Sequence, residues 1–145
     1  MKYTCETTIN KPREKVIELF DNPDNMKKWQ PDLISFEHVS GEPGQAGAKA
    51  KLRYRMGKRE FDMIETITVH DLPDEFSGSY QAPNVFNTFV NKFEAVDENT
   101  TRWLTESDFQ FSGLMSIMSV FMGSKMRKST ETFMNRFKEF AESSD

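Results

Sequence analysis

Glu65 is the residue at which chemistry would start. It stands in the series Phe61, Met63, Glu65, Ile67, Val69, in which alternate residues of a strand share one face. A carboxylate on an otherwise apolar face has to find a partner, meet water or raise its pKa. Such a group fits a ligand anchor or a general acid or base; the structural alternative is a carboxylate bonded to loop backbone or to a tyrosine. Tyr54 and Tyr80 fall on inward faces by the same alternation. Each offers an apolar ring with one polar handle, suited to an apolar pocket or to a core that satisfies the hydroxyl. Asn87 and Asn91 alternate with Phe89 and Phe93. Inward phenylalanines there bring inward amides, which would orient a ligand carbonyl or hydroxyl, or sit wet near the mouth of the fold.

Other chemistries find little support. His38 and His70 are the only histidines. They fall on separate strands without ligand spacing, which argues against a metal site or a Ser-His-Asp triad, and alternation puts His70 on an outer face. Cys5 is the only cysteine; it reads as a buried, inert thiol and allows no internal disulfide. The cluster Gly41–Gly47 lacks the Lys-Ser/Thr of a phosphate loop and opens no helix. No metal and no cofactor is implied.

The composition sets the frame. A chain of 145 residues, 37% hydrophobic and 29% charged, fits one globular domain spanning residues 1–145. Its net charge of −4, with both signs interspersed, argues against nucleic acid as partner. The apolar set is rich in Phe (13) and Met (9), residues that pack cores and also line adaptable ligand sites. No apolar run near Met1–Arg13 resembles a signal peptide, and none is long enough for a membrane span. A cytoplasmic setting is the expectation.

The elements that must position these residues follow from periodicity. Tyr3, Cys5, Thr7 and Ile9 give the inward face of a first strand. Asn10 as cap and Pro12 in the first turn open a helix with an apolar stripe of Val16, Ile17, Leu19 and Phe20. A second short helix ends near Trp29, which reads as a cavity gate or floor, or as plain packing. Strands follow over Leu33–Ser40, Ala48–Met56, Arg59–His70, Phe76–Ala82, Val85–Val96 and Thr101–Phe111. A two-residue turn at Gly57-Lys58 sets a register that can be checked on both faces. It opposes Arg55 to Glu60 and Arg53 to Asp62 outside, and Tyr54 to Phe61 and Leu52 to Met63 inside, with Ala50 opposite Glu65. On the last strand Thr101, Trp103, Thr105, Ser107, Phe109 and Phe111 make the better inner face, although simple pairing across the preceding turn favours the other set; a bulge would reconcile the two.

From Gly113 to about Ala141 the pattern predicts one long helix. Its first half, Leu114 to Met122, is apolar nearly all round, with Met115, Met118 and Met122 as candidate cavity wall. Its second half carries a stripe of Met126, Ser129 or Thr130, Phe133, Phe137 and Phe140. A helix apolar all round needs cover on more than one side. A ligand, a second copy in a homodimer or a membrane surface would supply it, as would loops and the short helix pair. Lys125, Arg127 and Lys128, just beyond, suit either an anionic surface or an ordinary solvated face.

The order of elements, with specific residues, resembles the START-like helix-grip (SRPBCC) superfamily, in its polyketide cyclase/dehydrase and lipid-transport branch. The carrying residues are Ile9-Asn10-Lys11-Pro12 with Val16; Asp21 with Trp29 and Pro31; Gly47; Glu65-Thr66-Ile67-Thr68-Val69 with Asp71 and Pro73; and Asn99-Thr100-Thr101-Arg102, where Asn99 replaces the usual glycine. The resemblance implies an α+β helix-grip fold: a seven-stranded curved antiparallel sheet wrapped around the C-terminal helix, two short helices after the first strand, and a cavity between sheet and helix. It leaves the reaction open. The expected function is binding of an apolar or aromatic small molecule, lipid or polyketide-like. Phe61, Met63, Phe89, Phe109, Met115, Met118 and Met122 would give contact area, and Trp29, Tyr54, Glu65, Tyr80 and Asn91 the gate and orienting groups. The alternatives are a cyclase/dehydrase-type enzyme using Glu65 with a tyrosine, and an interaction module using the apolar half-helix.

Overall fold

A computed structural model describes all residues, 1–145. The strands are β1 (Lys2–Ile9), β2 (Leu33–Ser40), β3 (Lys49–Met56), β4 (Arg59–Asp71), β5 (Glu75–Ala82), β6 (Val85–Asp97) and β7 (Thr100–Phe111). They form one antiparallel seven-stranded sheet in the order β1-β7-β6-β5-β4-β3-β2. Helices α1 (Arg13–Phe20) and α2 (Met26–Trp29) follow β1; α3 (Leu114–Met118) and α4 (Gly123–Glu142) follow β7. This is the expected α+β helix-grip architecture.

The β3–β4 hairpin has the register its sequence demands. Tyr54 faces Phe61, Leu52 faces Met63 and Ala50 faces Glu65. On the outer face Arg53 reaches Glu60 and Asp62, both at 3.0 Å, and Arg55 reaches Glu60 at 3.2 Å. Exposed ion pairs add little stability; their value is that a one-residue slip would reverse both faces at once. Gly57 turns the hairpin at φ 63, a left-handed conformation that glycine takes without a steric penalty. On β7, Thr101, Trp103, Thr105 and Ser107 are buried, and the reconciling bulge is present between Ala95 and Asp97 of β6.

The core lies where α1, α2 and α4 meet β1, β6 and β7. Phe137 of α4, fully buried, contacts Trp29, Trp103 and Phe20 at ring-centre distances of 5.0, 5.4 and 5.6 Å. Polar contacts fix α4 along β1. The Tyr3 and Thr130 hydroxyls lie 2.6 Å apart, Lys138 donates to the Thr8 carbonyl, and Glu142 accepts from the Asn10 backbone N–H at 2.7 Å.

Four details differ from the sequence expectation. Asn10 caps no helix; α1 begins at Arg13 behind Pro12, with no side-chain cap. The buried stripe of α4 is Met134, Phe137 and Ala141, with Phe133 and Phe140 half-buried beside it. His70 does not face outward. A bulge between Ile67 and Val69 reverses the alternation, so His70 packs edge-on to Phe76 at 5.9 Å and meets Asp21 at 3.1 Å. The C-terminal helix is not continuous: a 3-10 turn, Ser119–Phe121, separates α3 from α4. Ser116 and Ser119 donate their hydroxyls to the carbonyls three residues back, Gly113 and Ser116. This bonding competes with the helical ladder, and glycines stand at both ends of the segment.

Gly78 shows how tightly the sheet is packed. A Cβ there would stand 2.3 Å from the Thr66 carbonyl oxygen and 2.8 Å from Phe89 Cζ. The absent side chain lets the Phe89 ring stack on Tyr80 at 4.8 Å. Gly78→Ala should therefore destabilise the fold by about 1–3 kcal/mol, the usual range for overpacking, measured by urea denaturation; an unchanged midpoint would contradict this packing.

Candidate functional site

Register places five inward residues in one line across the sheet: Ala50 on β3, Glu65 on β4, Tyr80 on β5, Asn87 on β6 and Phe109 on β7. Toward the Gly57 turn, Leu52 and Met63 form the next pair, then Tyr54 and Phe61. Small Ala50 leaves space above it. Met26, Tyr54, Met63 and Tyr80 pack around the buried trio Leu33, Ala50 and Leu52. This cluster is separate from the aromatic core under α4. Tyr54, Phe61, Met63, Tyr80, Asn87 and Phe109 are only half-buried, so this part of the concave face is an accessible groove. On the opposite, outer side of the sheet Asp62, Ile64 and Gln81 line an open depression of about 380 Å³ bordered by Met63, Ala82 and Pro83, which is separate from the line Glu65, Tyr80, Asn87.

The electrostatics of the groove centre on Glu65, which is 8% exposed. Burial pushes its carboxyl above the ordinary carboxylate value, and hydrogen bonding by Tyr80 pulls part of the way back. Burial also raises the Tyr80 hydroxyl well above its ordinary value, and the Glu65 charge adds to that shift. Tyr54 is raised for the same two reasons, burial first, and donates its hydroxyl to Gln30 Oε1 at 2.6 Å. Both tyrosines therefore stay protonated as donors. Beside Tyr80, the Asn87 Oδ1 is a buried acceptor without a hydrogen-bond partner, a costly condition that a donor in the groove would relieve. Along this line a neutral carboxyl can donate a proton, a carboxylate can accept one, and the amide oxygen can accept a hydrogen bond.

The other sequence candidates divide cleanly. Phe89 is buried beneath Tyr80, and Phe109 continues the wall by stacking on Tyr3 and Phe111, both at 6.0 Å. Trp29 is buried and packs on Phe133 at 4.7 Å; its contacts are those of the core. Asn91 is buried, and its Oδ1 accepts from the Trp103 indole N–H at 2.9 Å, which is a structural role. Met115, Met118 and Met122 lie on the segment between β7 and α4. Met118 is 54% exposed, and the other two are half-buried on a segment whose neighbours point to solvent. The break after α3 is the physical reason, since it frees the apolar half from the line of α4.

Gln30 and Met26 belong to the site and were not expected. Met26 opens a four-residue helix and Gln30 caps its C-terminal end, an element too short to show a period; the neighbouring Trp29 and Pro31 are the only signal there. No group of three His, Cys, Asp or Glu side chains is placed to hold a metal ion.

No family model and no curated protein matches the chain. Solved structures do match over nearly its whole length. The Zhui aromatase/cyclase from a Streptomyces species superposes with a TM-score of 0.82 at 12% identity, covering 98% of this chain and 93% of that one. Norcoclaurine synthase from Thalictrum flavum, in complex with dopamine and hydroxybenzaldehyde, gives 0.73 at 8% identity, covering 100% and 88%. Major latex-like protein 151 from Panax ginseng gives 0.70 at 14% identity, covering 97% of each chain. At these identities the similarity establishes a shared helix-grip fold, the one the sequence resemblance implies.

Two consequences are measurable. An acid whose folded-state pKa lies above its unfolded value binds its proton more tightly when folded. The stability this gives is fully present below the unfolded value of about 4.5 and is lost as pH rises through the raised folded value. Glu65→Gln, which carries no titrating proton, should therefore gain stability over the parent as pH rises from about 4 to 7; parallel stability–pH curves would contradict the shift. Asn91→Ala should cost about 1–3 kcal/mol in chemical denaturation by stranding the Trp103 N–H.

Proposed function

We propose that the groove over β3–β6 binds an apolar, aromatic small molecule, lipid or polyketide-like. One observation carries the proposal: the line Glu65, Tyr80, Asn87, with its raised carboxyl and buried, unpartnered amide oxygen, is bordered by the half-buried apolar side chains of Phe61, Met63, Tyr54 and Phe109. Apolar walls with a few fixed polar groups are the usual make-up of small-molecule sites. A flat aromatic ligand would stack against Tyr54, Phe61 and Phe109. A hydroxyl on it would donate to Asn87 Oδ1, and a carbonyl would accept from Glu65 in its neutral form. The named activities of the aromatase/cyclase and of norcoclaurine synthase, both acting through this fold, support an aromatic ligand class. We propose further that the chain is one domain working in the cytoplasm, in keeping with its buried free thiol at Cys5.

A second reading is favoured by the raised pKa of Glu65 beside Tyr80. A carboxyl whose pKa is raised by burial holds its proton more readily than an ordinary carboxylate, which suits it to move a proton at a ligand carbonyl, as cyclase/dehydrase chemistry requires. On that reading Glu65→Gln abolishes turnover of a poly-β-ketone while binding persists.

Native mass spectrometry of gently purified protein, together with titration of the neutral fluorophore N-phenyl-1-naphthylamine, tests the binding proposal. Saturable binding is expected, weakened at least about tenfold by Met63→Arg, which puts a charge into the apolar wall. Absence of both a co-purifying molecule and saturable fluorophore binding would refute it.

A further inference from the structure

We infer that the segment Leu114–Phe121, with the basic turn that follows it, is a docking surface for an anionic lipid bilayer. Leu114, Ile117, Met118, Val120 and Phe121 are 79, 68, 54, 80 and 82% exposed. Half of the ten exposed large hydrophobic residues of the chain thus crowd into eight consecutive positions. A contiguous apolar patch of this kind marks a surface that is covered in use.

The segment is folded, with its polar groups bonded locally. The Ser116 N–H donates to the Gly113 carbonyl at 3.1 Å and the Met122 N–H to the Ser119 carbonyl at 3.1 Å. The Ser116 and Ser119 hydroxyls are bonded within the segment as well. Backbone satisfied locally and side chains directed outward is what the apolar boundary of a bilayer requires.

Charge identifies the occupant. The chain has a net charge of −4, yet no Asp or Glu lies between Asp108 and Glu131, while Lys125, Arg127 and Lys128 do. Arg127 donates to the Thr4 carbonyl and lies over the Tyr3 ring. Lys125 and Lys128 are exposed and enter no ion pair, so they are available for lipid phosphates and carboxylates. A second copy is a poor fit: a two-fold contact through this patch would bring the basic turns of both chains together without a counter-charge. No helix is long and apolar enough to cross a membrane; the geometry is that of a surface contact. The patch follows directly from the end of β7, where Phe111 pairs with Val85, so docking would bring the hairpin end of the groove toward the lipid.

Co-sedimentation of the full chain with phosphatidylcholine vesicles, plain or containing one-third phosphatidylserine, tests the inference. Binding to the phosphatidylserine vesicles is expected, falling in high salt. The double variant Val120→Ser/Phe121→Ser, at exposed positions the fold does not need, should bind at least about tenfold more weakly. Lys125→Ser/Lys128→Ser should lose about twenty-five-fold, at roughly fivefold per cation. Three results would overturn it: no sedimentation with either vesicle, binding unchanged in the Val120/Phe121 variant, or a lipid-free dimer that this variant disperses, which would make a second copy the occupant.

Discussion

The structure hangs on the contact of Phe137 with Trp29, Trp103 and Phe20. This one side chain of α4 touches α2, β7 and α1 together, and nothing of it reaches solvent. Burying a large side chain contributes about 1.5–3 kcal/mol, with more from ring–ring geometry. Its larger consequence is positional. It fixes α4 over the β1–β7 side of the concave face, where Tyr3, Lys138 and Glu142 tie the helix down. The β3–β6 side is left half-buried and chemically distinct, as its own small cluster of apolar residues shows.

That division explains why Glu65 is tolerated. A buried carboxylate in the aromatic core would be stranded; on the groove side it faces Tyr80 and has the small Ala50 on its other flank. Burial raises its pKa, and hydrogen bonding by Tyr80 offsets part of that cost. Asn87 carries the same meaning from the other side of Tyr80, since an unpartnered amide oxygen is a standing cost to the fold. Real proteins hold such costs mainly at sites where something else relieves them. By contrast the amide oxygen of Asn91, two steps of the alternation further along β6, accepts from Trp103, and the two amides differ in bonding although they look alike in sequence.

Much of this was legible before the fold was seen, for physical reasons that also show where reading fails. The β3–β4 register was recoverable because charge pairs and apolar pairs each specify it independently. The face of β7 was recoverable because Trp103 and its neighbours had to be buried, which forced a bulge somewhere in β6. His70 was misplaced because one bulge at Thr68 inverts every later side chain and leaves no composition signal. Gln30 and Met26 were missed because a four-residue helix has no period. For the apolar half-helix, hydrophobicity says that a surface wants cover, not what supplies it, and Leu114, Ile117, Val120 and Phe121 are exposed. Ser116 and Ser119, bonding back to the carbonyls behind them, interrupt the helix and turn the segment outward.

The central claim is that the polar line in the β3–β6 groove, and not the core beneath α4, is where a ligand sits. Methionine methyl groups report on both places: Met26 and Met63 pack in the groove cluster, while Met134 lies buried in the core. Methyl NMR of 13C-methionine-labelled protein during a titration with 2-naphthol separates them. The account predicts saturable shifts of Met63 and Met26 with Met134 unmoved. Shifts confined to Met134, or none at any methionine up to the solubility limit of the naphthol, would contradict it.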